Sequence, residues 1–127
     1  MIYGIGTDLL RIERGQQLWL RFGEHAADKL LMPEERAEFE QARDRGRQLA
    51  RAFAAKEAFV KALGTGFHGV SFRDAGVIRA QGQRPELVFS TAMRERLRAL
   101  QITGAHLSFS DEDGFIFAFV VLEGVTV

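Results

Sequence analysis

Ala50, Ala54, Ala58 and Ala62 recur at i, i+4 spacing inside the strongest helical pattern of the chain, residues 48–63. They form one edge of that helix. An edge built only of methyl groups lets another backbone come unusually close. The first residues of the chain suit that approach. In "YGIGTDLL", Tyr3–Leu10, strand alternation puts Gly4, Gly6 and Asp8 on one face and Tyr3, Ile5, Thr7 and Leu9 on the other. Two glycines weaken a strand, because each loses more chain entropy than Ala and packs nothing. A carboxylate among apolar neighbours adds a desolvation cost. The glycines leave room for the central helix, or a ligand, to lie against the strand.

The other elements follow from periodicity and punctuation. The first strand is predicted over residues 2–11. Leu18, Phe22, Ala26 and Leu30, at steps of four, predict one or two short helices. Pro33, with acids in the turn after it, starts a second helix that Gly46 is expected to interrupt. Gly64 and Gly66 end the central helix. The period then changes to two. "AGVIRA" and "ELVFS" flank "QGQRP" as a hairpin, Ser90 caps a helix over "TAMRERLRALQI", and "AHLSFS" and "FIFAFVVLE" flank "DEDG" as a final hairpin. No repeat, low-complexity tract or linker divides the chain. The expectation is one α+β domain over residues 1–127, a long central helix packed on an antiparallel β-sheet.

Composition narrows the function classes. The chain has no cysteine, which removes disulfides, thiolate metal sites and a Cys nucleophile. The formal net charge is zero and there is one Trp and one Tyr, so neither a backbone field nor a stacking platform for nucleic acid is expected. No run of about 18 apolar residues occurs and the N-terminus lacks a basic flank before a hydrophobic core, so no membrane association or signal peptide is expected. A cytoplasmic protein is the default expectation.

The central helix carries the chemistry. Leu49, Ala52, Phe53, Phe59, Val60 and Leu63 make one apolar arc, with Lys56 projecting into its middle. An ammonium there must snorkel outward or meet an anion. Glu57 and Lys61 lie between the arc and the alanine edge; taken alone they read as a surface helix pair contributing about 0.3–0.5 kcal/mol. The segment Gly64–Thr65–Gly66 has N–H groups that could approach a phosphate, although such a segment more often only caps a helix. If Asp8 and Glu57 converge, two carboxylates would bind a hard divalent cation, and Mg2+ uses such carboxylates together with substrate phosphates. With Lys61 one turn away, the set becomes a phosphoryl-transfer layout.

"GIGTDLLRIER" and "AFAAKEAFVKALGTGF" closely resemble the holo-acyl-carrier-protein synthase family, the short bacterial type of 4′-phosphopantetheinyl transferase. The likeness extends through "RFGEHAADKLLMPEE", "GQRPELVFS" and "HLSFS", nearly the whole chain. It implies a 4′-phosphopantetheinyl transferase-like fold and transfer of the 4′-phosphopantetheine arm of coenzyme A to a serine of apo acyl carrier protein, releasing adenosine 3′,5′-bisphosphate, in support of fatty acid biosynthesis. By the resemblance, Asp8 and Glu57 hold Mg2+ on the coenzyme A diphosphate, and Lys61 assists the leaving group. Glu57, or a water held by the metal, takes the serine proton. Coenzyme A is expected against Lys56, Lys61, Gly64, Thr65, Gly66 and His106, and the acidic carrier against Arg14 and Arg21. The family assembles as homotrimers with active sites between subunits.

This chain departs from the family pattern in three places. Ala52 stands where an arginine often precedes the motif Phe, with Arg51 one step earlier and so about 100° around the helix. Asp111 stands where a histidine commonly follows Ser-x-Ser, and "GQRP" is one residue longer than the usual turn. A Mg2+-dependent hydrolase needs the same carboxylates and lysine but no carrier surface. A non-catalytic module would bind coenzyme A without turnover.

Overall fold

The computed structural model describes residues 1–125. Its elements are β1 (Ile2–Arg11), α1 (Ile12–Phe22), α2 (Glu24–Leu30), a 3-10 turn (Pro33–Glu35), α3 (Arg36–Glu40), α4 (Arg45–Leu63), β2 (Ala75–Ile78), β3 (Glu86–Phe89), α5 (Thr91–Ala99), β4 (Ile102–Glu112) and β5 (Phe115–Gly124). β1, β5 and β4 form an antiparallel sheet in that order, while β2 and β3 pair apart from it as a hairpin of their own. No helix among the described residues is long and apolar enough to cross a membrane.

Local chemistry accounts for most boundaries. Gly23, at φ 54°, separates α1 from α2. Gly64, at φ 88°, ends α4 in the left-handed conformation. Ser90 caps α5 by accepting from the Met93 N–H at 3.1 Å. One boundary differs from expectation. The helix begun at Pro33 stops at Glu40, and α4 starts at Arg45 because the Asp44 carboxylate accepts from the Arg47 N–H at 2.9 Å. Gly46 therefore lies inside α4. It breaks nothing; it is the crossing point with α1, since a Cβ there would collide with the Gln16 backbone.

The bare helix edge and the bare strand face meet. Cβ atoms added at Gly4 and Gly6 would collide with the carbonyl oxygens of Ala62 and Ala58. The alanine ladder is thus spent within the chain. Ala50 and Ala54 are also buried, and Gly15 of α1 abuts Ala50. The close packing draws β1 tight against α4 and carries Asp8 with it.

The core fills the space between α4 and the sheet, with Phe59, Val60 and Leu63 against Ile116, Ala118, Val120 and Leu122 of β5. A second cluster joins α2, α3 and the first half of α4 through Leu30, Phe39, Leu49 and Ala52. The opposite face of the sheet is uncovered in the single chain. Ile5 and Leu9 of β1 and Phe117 and Phe119 of β5 are all exposed there.

Candidate active site

Asp8 lies on the helix side of β1, paired in register with Ala118. Lys61 Nζ donates to the Thr7 carbonyl at 2.9 Å and lies 3.5 Å from Asp8 Oδ1. The Lys61 side chain is 53% exposed and that of Asp8 15%. Asp8 Oδ2 is buried and accepts no hydrogen bond. Glu57, one turn before Lys61, has its carboxyl held above the ordinary carboxylate range, first by burial and then by the negative charge of Asp8; Lys61 and Arg14 pull the other way. The structure therefore brings together Asp8, Glu57 and Lys61, as the sequence predicts, and adds Arg14 from α1.

These residues fit a hard divalent cation. The orphaned Asp8 oxygen is an acceptor without a donor, and the repulsion felt by Glu57 is what a shared cation relieves. Among the described residues no group of three or more His, Asp or Glu is placed to hold a metal. Two carboxylates leave most of an octahedral shell to water and substrate oxygens.

The remaining expected residues divide. Arg14 and Arg21 line one groove on α1 with Arg11, Gln17, Leu18 and Phe22. Arg14 stacks 5.8 Å from the Phe53 ring centroid. His106 faces away from this site, on the uncovered side of the sheet, where its Nε2 pairs with Glu123. One chain alone does not bring it to Lys61.

Lys56 requires a correction. It is 1% exposed and pairs at 2.6 Å with Glu35, itself 4% exposed. Its second bond goes to the Phe72 carbonyl at 2.7 Å. The anion demanded by its place in the apolar arc is therefore internal, and no side-chain surface is left for coenzyme A. The only sequence signal for Glu35 was that demand; which of the chain's acids answers it is set by tertiary packing.

The Gly64–Thr65–Gly66 segment needs a narrower correction. All three N–H groups are directed back to α4, Gly64 to Val60 and Lys61, Thr65 and Gly66 to Val60. They close the helix and are not available to a phosphate. The segment still lies open, with no atom within 4 Å of a Cβ built at Gly64 or Gly66.

The departures from the motif pattern lie away from Asp8. Ala52 is buried in the second cluster. Arg51 stacks 4.5 Å over Phe109 with its Nε buried and unpartnered, and burial, then the charge of Arg79, lowers its proton affinity. Asp111 pairs with Arg47.

The model of the 4′-phosphopantetheinyl transferase superfamily matches residues 4–120 of this chain, a long helix on an antiparallel sheet; the chain belongs to that family. A holo-[acyl-carrier-protein] synthase of Alkalilimnicola ehrlichii is 50% identical over 125 residues, covering 97% of this chain and 98% of the relative. The crystal structure of the Neisseria meningitidis holo-[acyl-carrier-protein] synthase superposes with a TM-score of 0.90 at 45% identity, covering 97% of this chain and 99% of that one. That of Bacillus anthracis, in complex with CoA (3′,5′-ADP), gives 0.78 at 34% identity, covering 98% and 99%. Within the superfamily the chain is one of the holo-[acyl-carrier-protein] synthases, and its activity is phosphopantetheinyl transfer to acyl carrier protein.

Proposed function

We propose that this chain uses Mg2+ held by Asp8 and Glu57 to transfer the 4′-phosphopantetheine arm of coenzyme A to a carrier-protein serine, with adenosine 3′,5′-bisphosphate as the leaving product. One observation carries the reading. Asp8 has a buried oxygen without a donor, beside a second carboxylate that its charge disturbs. The bound cation would neutralise the diphosphate and polarise its phosphorus–oxygen bonds.

The other steps belong to side chains of the protein. Lys61 gives one N–H to the Thr7 carbonyl and a longer one to Asp8 Oδ1, which fixes the ammonium and leaves a donor for phosphate oxygens and the departing bisphosphate. Glu57 serves as a proton acceptor for the serine hydroxyl. Thr65 and the open Gly64–Gly66 segment border coenzyme A by shape, without donating their N–H groups. Arg14 links the carrier groove to the reaction site, because its charge reaches Glu57 while its side chain lines the groove with Arg21.

His106 joins the site only across a subunit boundary. The uncovered face carrying Ile5, Leu9, Phe117 and Phe119 supports a homotrimer in which His106 of one copy meets coenzyme A on Lys61 of the next. We assign the reaction to fatty acid biosynthesis in the cytoplasm, with the fatty-acid acyl carrier protein as partner.

Intact mass spectrometry of apo acyl carrier protein, after incubation with the protein, coenzyme A and Mg2+, tests this. The expected result is a gain of one phosphopantetheinyl group, lost with EDTA or with alanine at the carrier serine. Cleavage of coenzyme A without carrier modification would contradict it in favour of a hydrolase.

A further inference from the structure

Glu35 and Lys56 are the buried charged residues among those described, and the reaction above uses neither. Stability alone is a poor account of them, since apolar side chains of similar volume often replace a buried ion pair without loss. Their bonds indicate something else. Glu35 accepts from the Met32 N–H at 2.9 Å, the Val77 N–H at 3.0 Å and Lys56 Nζ at 2.6 Å. Lys56 Nζ also donates to the Phe72 carbonyl at 2.7 Å. One lysine in the middle of α4 thus ties the helix to the 3-10 turn before it and to the loop, residues 64–74, after it.

That loop is anchored at its far end, where Asp74 accepts from the Ser71 N–H and from the Ser90 hydroxyl, each at 2.8 Å, and Val70 is buried in the core; its first half is held more lightly. It leaves α4 at Gly64, runs through exposed Gly66, His68 and Gly69, and returns at Phe72. In that first half the backbone bonds are long, His68 N–H to Thr65 at 3.4 Å and Val70 N–H to Phe67 at 3.3 Å, whereas Asp74 N–H to Ser71 at the far end is 3.0 Å. Arg96 of α5 reaches Gly69 at 3.3 Å. From the α4 side, besides the capping bonds and Val70 in the core cluster, the loop is held by Lys56 and by a row of rings. Phe53 and Phe72 stack with centroids 5.5 Å apart, and Phe72 and Phe67 lie 4.2 Å apart. Phe67 directly follows Gly66, so a displacement at Phe72 is passed to the segment beside Lys61.

We propose that Lys56 is a positioning residue for coenzyme A, acting through Phe72 and Phe67 to set residues 64–70 against the end of α4 before the substrate arrives. The inference rests on the functional reading above, in which that segment borders coenzyme A. Lys56 itself touches no substrate, and its neighbour Glu57 points from the helix about 100° away, toward Asp8.

The test compares Lys56→Met, the charge-balanced double variant Glu35→Gln/Lys56→Met, and Phe72→Leu, which leaves the buried pair intact. Melting temperature, kcat, and KM for coenzyme A and for the carrier are measured for each. The double variant is expected to regain most of the melting temperature that Lys56→Met loses, yet to keep a roughly tenfold higher KM for coenzyme A, the effect of losing one charged hydrogen bond. KM for the carrier stays near wild type. Phe72→Leu shares the coenzyme A defect in smaller measure. Recovery of both melting temperature and KM in the double variant would overturn the proposal. If the double variant fails to fold, a normal KM for coenzyme A in Phe72→Leu would overturn it. Hydrogen exchange of amides 66–72 in Lys56→Met reads the tether without turnover. Faster exchange is expected, and unchanged protection counts against the proposal even if the wild type proves inactive, an outcome that would sink the transferase reading instead.

Discussion

α4 carries two lysines, five residues apart, each facing a carboxylate, and the two pairs are built to opposite ends. Lys56 and Glu35 are buried, 2.6 Å apart, and the carboxylate takes two further N–H donors. Lys61 and Asp8 are 3.5 Å apart, the lysine is half exposed, and one Asp8 oxygen has no donor. The first pair is complete within the chain. The second lacks what a cation and a phosphate would supply. Residue type does not separate these two pairs; what differs is that one is fully satisfied within the chain and the other leaves a carboxylate oxygen open.

Breaking each pair should give different losses. Asp8→Asn should fold normally and lose turnover by roughly a thousandfold, the scale of losing an electrostatic contact made in the transition state. Glu57→Gln should do the same in a carrier-modification assay. Lys56→Met, by contrast, leaves a buried carboxylate uncompensated and should cost about 3–5 kcal/mol in chemical denaturation. A change under about 1 kcal/mol would mean that the pair is not closed in the sense described. Lys61→Met is expected to lower kcat roughly a hundredfold with a smaller effect on coenzyme A binding. Loss confined to binding would remove its leaving-group role.

The smallest effect sharpens the contrast through pH. Burial and Asp8 raise the Glu57 carboxyl above its ordinary value of 4.5. The folded chain then holds that proton more tightly than the unfolded chain. The resulting stabilisation is fully present below the unfolded value and is lost as pH rises through the folded one. At pH 7 in EDTA, Glu57→Gln should therefore melt above wild type, and the gap should close by pH 4. A variant that melts below wild type at pH 7 would show that Glu57 is not held at a cost.

Much of this was legible in the sequence because it depends on local pattern. Alternation in "YGIGTDLL" correctly put Gly4, Gly6 and Asp8 on the covered face, and the alanine spacing marked the helix edge that covers them. The convergence of Asp8, Glu57 and Lys61 follows from those two faces meeting. What failed depended on partners distant in sequence. Gly46 reads as a breaker until α1 is seen crossing it at Gln16. Lys56 reads as an ammonium that must snorkel or meet an anion, and by the resemblance as a coenzyme A contact, until Glu35, 21 residues earlier, is brought beneath it. For the N–H groups of Gly64–Gly66 the sequence leaves a phosphate and a helix cap both open, and the structure folds them back on Val60 as a cap. The separation of the β2–β3 hairpin from the main sheet has no signature in its own strands, since pairing within a hairpin looks alike in either setting.

The most direct measurement is the Mg2+ dependence of carrier-protein mass gain, wild type against Asp8→Asn, at matched melting temperatures. The account predicts saturable gain of one phosphopantetheinyl group with Mg2+ in the wild type and almost none in the variant at any Mg2+ concentration. Near-normal transfer by Asp8→Asn would contradict it, and the open carboxylate would then be no metal site.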